Sequence, residues 1–216
     1  MLEKMGDFFN ARLEGYEEHQ LNTIESAKEL YSFTAGCLPK QAESCILDLG
    51  CGTGLELQEY FNLNPTGKIT GIDLAEQMLK FLESKFQGKN INLINGSYFE
   101  VPFGTNQFDA VVSVESLHHF TKQEKIPLYK KIKAALKPAG YFILTDYFAK
   151  SEDDENSFRQ ELIRLRKEQN LLEGEFYHFD TPLTVEHEKE ALLAAGFSSV
   201  QILNKWGVTH TIKTTL

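Results

Sequence analysis

The chain has 216 residues, a length that favours one domain around one core. Its 42% hydrophobic and 25% charged residues lie near globular averages, which excludes wholesale disorder. Lys and Arg number 22 against 31 Asp and Glu, and the resulting net charge of −9 repels a phosphate backbone, so nucleic acid is not expected as a partner.

The first nine residues place Glu3 and Asp7 where a signal peptide needs an apolar stretch, and no segment approaches the ~20 apolar residues of a membrane span. A cytoplasmic protein with no membrane partner is expected. Cys37, Cys45 and Cys51 are odd in number and lack CxxC spacing, which suggests neither a disulfide framework nor a zinc site. His178-x-Asp180 is too sparse for a metal site, so no metal is expected.

In chain order, residues 1–38 read as helical, with Leu21, Ile24, Ala27, Leu30 and Tyr31 at three- and four-residue spacing before Pro39. Asn22-x-x-Glu25 is expected to cap the second of two helices. The apolar run 45–49 predicts a strand, broken by Gly50-Cys-Gly-Thr-Gly54 and followed by a helix over 55–61. A strand over 68–73 and a helix over 75–86, with Met78, Leu79, Leu82 and Phe86 on one face, repeat the alternation.

Strands over 91–95 and 108–114 follow, the second apolar enough for a sheet covered on both faces. A helix over 122–136 opens on the capping box Thr121-x-x-Glu124. Lys137-Pro-Ala-Gly140 punctuates before a strand over 141–147. An acidic run, 151–155, leads into a charged helix with the stripe Phe158, Leu162, Leu165 and Leu172. Thr184 is the expected N-cap of a last helix ending before Gly196, and strands over 197–205 and 208–214 close the chain as an antiparallel pair. Strands alternating with helices over some hundred residues demand parallel pairing through right-handed crossovers, hence a doubly wound α/β sheet with one reversed C-terminal strand.

In such sheets ligands bind beyond the carboxyl ends of the strands, where the first glycine turn lies. The spacing here is G-x-G-x-G with Leu55 after it, not the G-x-G-x-x-G of dinucleotide enzymes, and Asp48 stands two residues before the first glycine. A pyrophosphate is poorly matched to that carboxylate, and no phosphate-cradling P-loop motif occurs.

Ile46-Leu-Asp-Leu-Gly-Cys-Gly-Thr-Gly54 resembles the cofactor motif of class I S-adenosylmethionine-dependent methyltransferases. The resemblance extends through Gly71-Ile-Asp-Leu74, Val101-Pro-Phe103, the 108–114 strand with Leu117-His-His-Phe120, and Leu136-Lys-Pro-Ala-Gly-Tyr-Phe142, so it covers residues 44–147. It implies a Rossmann-like seven-stranded sheet forming a single domain. Residues 1–43 would be a helical cap, 44–150 the cofactor-binding core, 151–183 a helical insertion and 184–216 the last helix and strand pair.

The resemblance also implies site residues. Gly50 and Gly52 would approach the methionine part of S-adenosylmethionine, with Cys51 and Thr53 between and beside them, and Asp48 would meet its amino end. Asp73 would receive the ribose hydroxyls, Leu74 and Met78 would pack on adenine, and Val114 would complete the wall. Family members often carry an acid for the adenine amino group where this chain has Ser97, so adenine recognition is expected to lean on backbone groups and Tyr98.

For proton transfer the candidates are His118, His119, Glu115 and Tyr147, with Asp146 beside them, although a histidine pair at this place also serves as a structural element. The aromatic residues Phe8, Phe9, Tyr16, Tyr31 and those in 176–179 would line or cover a pocket for a small-molecule acceptor. The expected protein is thus a small-molecule methyltransferase, monomeric or homodimeric. The alternatives are a non-catalytic S-adenosylmethionine-binding module and an NAD-dependent oxidoreductase.

Overall fold

The computed structural model describes residues 1–172 and 174–216. Its strands are β1 (Cys45–Leu49), β2 (Lys68–Asp73), β3 (Asn90–Asn95), β4 (Phe108–Val114), β5 (Leu136–Tyr147), β6 (Ser199–Trp206) and β7 (Thr209–Thr215). They form one seven-stranded sheet in the order β3-β2-β1-β4-β5-β7-β6. The first five run parallel, and β7 is antiparallel to both its neighbours, β5 and β6. The doubly wound sheet with one reversed strand is therefore the observed architecture.

Alternation along the central strands gives each face its own core. Leu47, Leu49, Val111, Phe142 and Leu144 point to one face, where helices α6 (Lys122–Ala135) and α8 (Val185–Ala194) add Leu128, Ile132, Ala191 and Leu192. Ile46, Ala110, Val112 and Ile143 point to the other, which α3 (Ala27–Gly36), α4 (Leu55–Leu63) and α5 (Glu76–Lys85) cover with Leu30, Leu57 and Leu82. Runs without polar alternation follow from burial on both faces.

The N-terminal forty residues form three helices, α1 (Met5–Asn10), α2 (Tyr16–Thr23) and α3, instead of two. Asn22 lies inside α2, and Ser26, in the left-handed region, precedes α3 without a side-chain cap, so the expected Asn22-x-x-Glu25 cap is not formed. Lys137-Pro-Ala-Gly140 falls within β5, whose Leu136 already pairs with Phe108 before a register shift. The helix after Ser151 is α7 (Glu152–Glu168), and Leu172 lies beyond its end, largely exposed. The cap at Thr121–Glu124 and the Thr184 N-cap form as expected.

The N-terminal segment is clasped to the strand-end side by the 176–178 stretch. Met5 N–H donates to the Phe176 carbonyl at 2.9 Å, His178 N–H donates to the Glu3 carbonyl at 3.0 Å, and Lys4 bridges Tyr177. Helix α1 thereby lies across the carboxyl ends of the parallel strands. No helix among the described residues is long and apolar enough to cross a membrane.

Candidate active site

Two clefts meet above the strand ends. The first lies between the glycine loop after β1, the end of β2 and helix α1. Its walls include Gly50, Gly52, Asp73, Leu74, Met78, Tyr98 and Val114, together with Phe9, Tyr16, Glu115, Ser116 and His119. Gly50 has φ 74°, and a Cβ there would lie 2.1 Å from the Ser116 hydroxyl oxygen, so only glycine permits this approach of loop to loop. Asp73 ends β2 with both oxygens in use: Gly52 N–H donates to one and Ala75 N–H to the other, each at 2.8 Å.

Four residues singled out in the sequence, Cys51, Thr53, Ser97 and Asp48, stand behind this wall. Cys51 is buried with its sulfur against Gly71, where a Cβ would come within 2.8 Å of it. Thr53 is buried with its hydroxyl unpaired. Ser97 is also buried, its hydroxyl accepting from Phe99 N–H at 3.2 Å, while the Tyr98 hydroxyl reaches the Ser116 hydroxyl at 3.2 Å.

Asp48 is wholly buried beneath the loop, and neither carboxylate oxygen has a hydrogen-bond partner. Burial, then the adjacent carboxyl of Glu56, raises the Asp48 carboxyl well above the ordinary range; burial raises Glu56 as well. Glu56, on the first turn of α4, was not a sequence candidate. Its place among apolar neighbours on an amphipathic helix gave no sign that it would face inward.

The second cleft holds about 700 Å³ and runs under α1 and α2. Phe8, Tyr147, His118, His178, Glu14 and Asp180 are among its walls, and it shares Phe9, Tyr16, Glu115 and His119 with the first. His118 and His119 sit on a 3₁₀ turn, Leu117–His119, directly after β4. His118 Nδ1 lies 2.6 Å from Asp146 Oδ1, and Asp146 is fixed in turn by Leu117 N–H at 2.9 Å and Tyr147 N–H at 3.0 Å. Phe8 is stacked face to face with His178 at 3.5 Å, and the Arg12 guanidinium lies 3.6 Å over the Phe8 ring.

Charge is concentrated at this junction. Burial, then the charge of Asp146, pushes the Glu115 carboxyl up to about 8. Burial, then the neighbouring His118, pushes His119 down to about 4. For His118, burial works downward, but the charge and hydrogen bond of Asp146 outweigh it and raise the imidazole. Glu115 adopts φ 48°, in the left-handed region, with Oε1 accepting from the Thr209 hydroxyl at 3.3 Å. Of the sequence candidates for proton transfer, the fold brings Glu115, His118, His119 and Tyr147 to one cleft. It adds Asp180, from a segment some sixty residues further along.

Residues 46–140 match the model of the methyltransferase domain. Among curated relatives, a sterol 24-C-methyltransferase of Gibberella zeae is 29% identical over 157 residues, covering 70% of this chain and 39% of that one. The demethylmenaquinone methyltransferase of Lactococcus lactis is 30% identical over 147 residues, covering 64% of this chain and 56% of that one. The chain thus spans less than two thirds of the length of these relatives. The solved DhpI–SAM–HEP complex superposes with a TM-score of 0.70 at 16% identity, covering 97% of this chain and 95% of that one.

A glycine loop after β1, an acid ending β2 and a reversed β7 define a class I S-adenosylmethionine-dependent methyltransferase domain. Over residues 46–140 this chain is similar to that domain, and the curated relatives named above are methyltransferases. The cofactor of the class is S-adenosylmethionine.

Proposed function

We propose that the protein moves the methyl group of S-adenosylmethionine to a small-molecule acceptor seated in the second cleft. The observation that carries this reading is that both clefts share Phe9, Tyr16, Glu115 and His119 as walls. A molecule in one cleft meets a molecule in the other across these four side chains. Such an arrangement holds two reactants in line, an orientation that contributes on the order of 7–11 kcal/mol to lowering a bimolecular barrier.

The residues of the first cleft fit the cofactor. Gly50, with no Cβ, leaves the loop backbone open to close approach by the methionine portion. Asp73 uses one lone pair on each oxygen for Gly52 and Ala75, and the lone pairs that remain suit the two ribose hydroxyls. Leu74 and Met78 offer apolar surface for adenine. Asp48 and Glu56 place two buried carboxyls beneath the loop, acids whose ionisation an ammonium-bearing ligand would favour and a pyrophosphate would oppose. When bound, S-adenosylmethionine supplies a methyl already activated on sulfonium, so the chain's work is to orient the acceptor and take its proton.

The acceptor is inferred from the second cleft. Its volume of about 700 Å³ suits a small molecule, and the net charge of −9 disfavours a nucleic acid. Phe8, Phe9 and Tyr147 offer aromatic faces beside the carboxylates of Glu14 and Asp180. That mixture suits an acceptor with an apolar body and a hydroxyl or amine nucleophile. Glu115, at the junction and held by Thr209, is the group placed to accept the nucleophile's proton.

Calorimetric titration with S-adenosylhomocysteine, with NAD in parallel, tests the cofactor assignment before any acceptor is known. Micromolar binding of the first and none of the second is expected. Asp73→Asn keeps the size but removes the charge and turns one of the two acceptors into a donor, and should weaken binding by at least about 1.5–3 kcal/mol. Unchanged affinity in that variant, or no binding by the wild type, overturns the assignment.

A further inference from the structure

We propose that His118, His119 and Asp180 form a binding site for a divalent transition-metal ion, of the zinc type, on the floor of the second cleft. Along the sequence Asp180 has only His178 close by. In the fold it reaches two other histidines: Asp180 Oδ1 lies 3.1 Å from His119 Nδ1 and 3.7 Å from His118 Nε2. The two segments are locked together by the backbone, since Thr181 N–H donates to the His118 carbonyl at 2.8 Å. Both imidazoles are buried, at 7% and 8% exposure, and their rings lie 4.1 Å apart.

Three observations point to a ligand. The Asp180 side chain is 40% exposed, but its Oδ1 is turned away from solvent toward two imidazole nitrogens and makes no hydrogen bond of acceptable geometry. A carboxylate oxygen covered from water and left unpaired is favoured when something positive meets it. Second, the proton on His118 Nδ1 is claimed by Asp146 at 2.6 Å, and Asp146 is itself held by two backbone N–H groups. This carboxylate–histidine pairing is the outer-shell arrangement that fixes a metal-binding imidazole and leaves Nε2 as the ligand atom.

Third, the spacing is right. Tetrahedral zinc with bonds of 2.0–2.2 Å sets neighbouring ligand atoms about 3.4 Å apart. The two separations from Asp180 Oδ1 bracket that value. Ligation through His119 Nδ1 requires that nitrogen to be unprotonated. Its 3.3 Å approach to the Phe179 carbonyl is then not a hydrogen bond, and Nε2 carries the ring's proton.

A second grouping, Glu115 with His118 and Asp146, lies on the Nδ1 side of the same ring. That nitrogen is already engaged by Asp146, so the Nε2 side is the open one. Two histidines and one carboxylate leave a coordination position facing the cleft, as catalytic zinc sites do. The ion's place does not depend on the methyl-transfer reading. Its use does: resting on that reading, an acceptor oxygen or nitrogen bound at the free position would be polarised beside Glu115.

The test uses the full chain after chelator treatment, titrated with zinc chloride by calorimetry and with cobalt chloride by visible absorption. One ion per chain at micromolar affinity is expected, with a rise in Tm. Asp180→Asn and His119→Gln, each shown by circular dichroism to be folded, should weaken zinc binding at least tenfold, and His187→Gln, on α8, should leave it unchanged. Absence of binding at 100-fold molar excess, affinity indifferent to Asp180→Asn, or loss only in His187→Gln overturns the proposal. S-adenosylhomocysteine titrated into the same samples reports separately on the cofactor reading.

Discussion

Glu115 concentrates what the residue scale contributes. A glutamate at φ 48° is strained, and that conformation is held by its backbone N–H donating to the Thr145 carbonyl at 2.8 Å, by Thr209, and by the packing of both clefts. Glu115→Gln keeps the size and removes the proton acceptor. It should leave S-adenosylhomocysteine affinity within about threefold and lower kcat with the identified acceptor by roughly 10²–10⁴. Unchanged kcat in steady-state assays would remove Glu115 from the reaction.

Asp48 carries a second residue-scale prediction, on stability. Its folded-state carboxyl is raised by burial and by Glu56, so its contribution to stability is fully present below the unfolded value of 3.8 and is lost as pH rises toward the higher folded value. Asp48→Asn removes that loss. In the ligand-free protein the variant's Tm should gain on the wild type more at pH 8 than at pH 5, by about 2–4 °C for each kcal/mol recovered. Equal differences at both pH values in scanning calorimetry contradict the assignment. Asp48, Asp73 and the glycines were legible because their positions in a strand–turn–helix pattern are local. Glu56 was not, because its inward orientation depends on how α4 docks.

At the element scale, α6 and α8 are joined by an ion pair within the core. Lys125 Nζ lies 2.6 Å from Glu188 Oε2, Tyr129 donates to the other oxygen, and all three side chains are buried. Removing one member leaves the other charged and unpaired. Glu188→Ala should therefore cost about 3–5 kcal/mol in urea unfolding, whereas Lys125→Met combined with Glu188→Leu should recover most of that loss. A cost below about 1 kcal/mol in the single variant would indicate that water reaches Lys125.

Element existence was legible wherever periodicity or capping was strong, as in the Thr121 box and the alternation of β4. Boundaries failed where tertiary pairing overrode punctuation. Leu136 enters β5 ahead of Pro138 because it pairs with Phe108. The N-terminal run breaks into three helices because Gly15 and Ser26 take the left-handed conformation at the breaks.

On the scale of the whole molecule, the site is an overlap of two clefts, and the overlap is built by parts far apart in the chain. Helix α1 and the 176–178 stretch hold each other across the strand ends, α2 closes one side, and β7 brings Thr209 to Glu115. By itself the sequence determined the doubly wound sheet, the glycine loop with its acid at the end of β2, and hence the cofactor class. Those features are encoded in local spacing and in apolar runs that must be covered on both faces. Only the tertiary structure decided that Asp48 faces Glu56, that Glu115 joins the clefts, and that Asp180 reaches His118 and His119. These meetings depend on how helices dock and on which long-range backbone bonds form, such as Thr181 to His118, and local spacing carries no record of either.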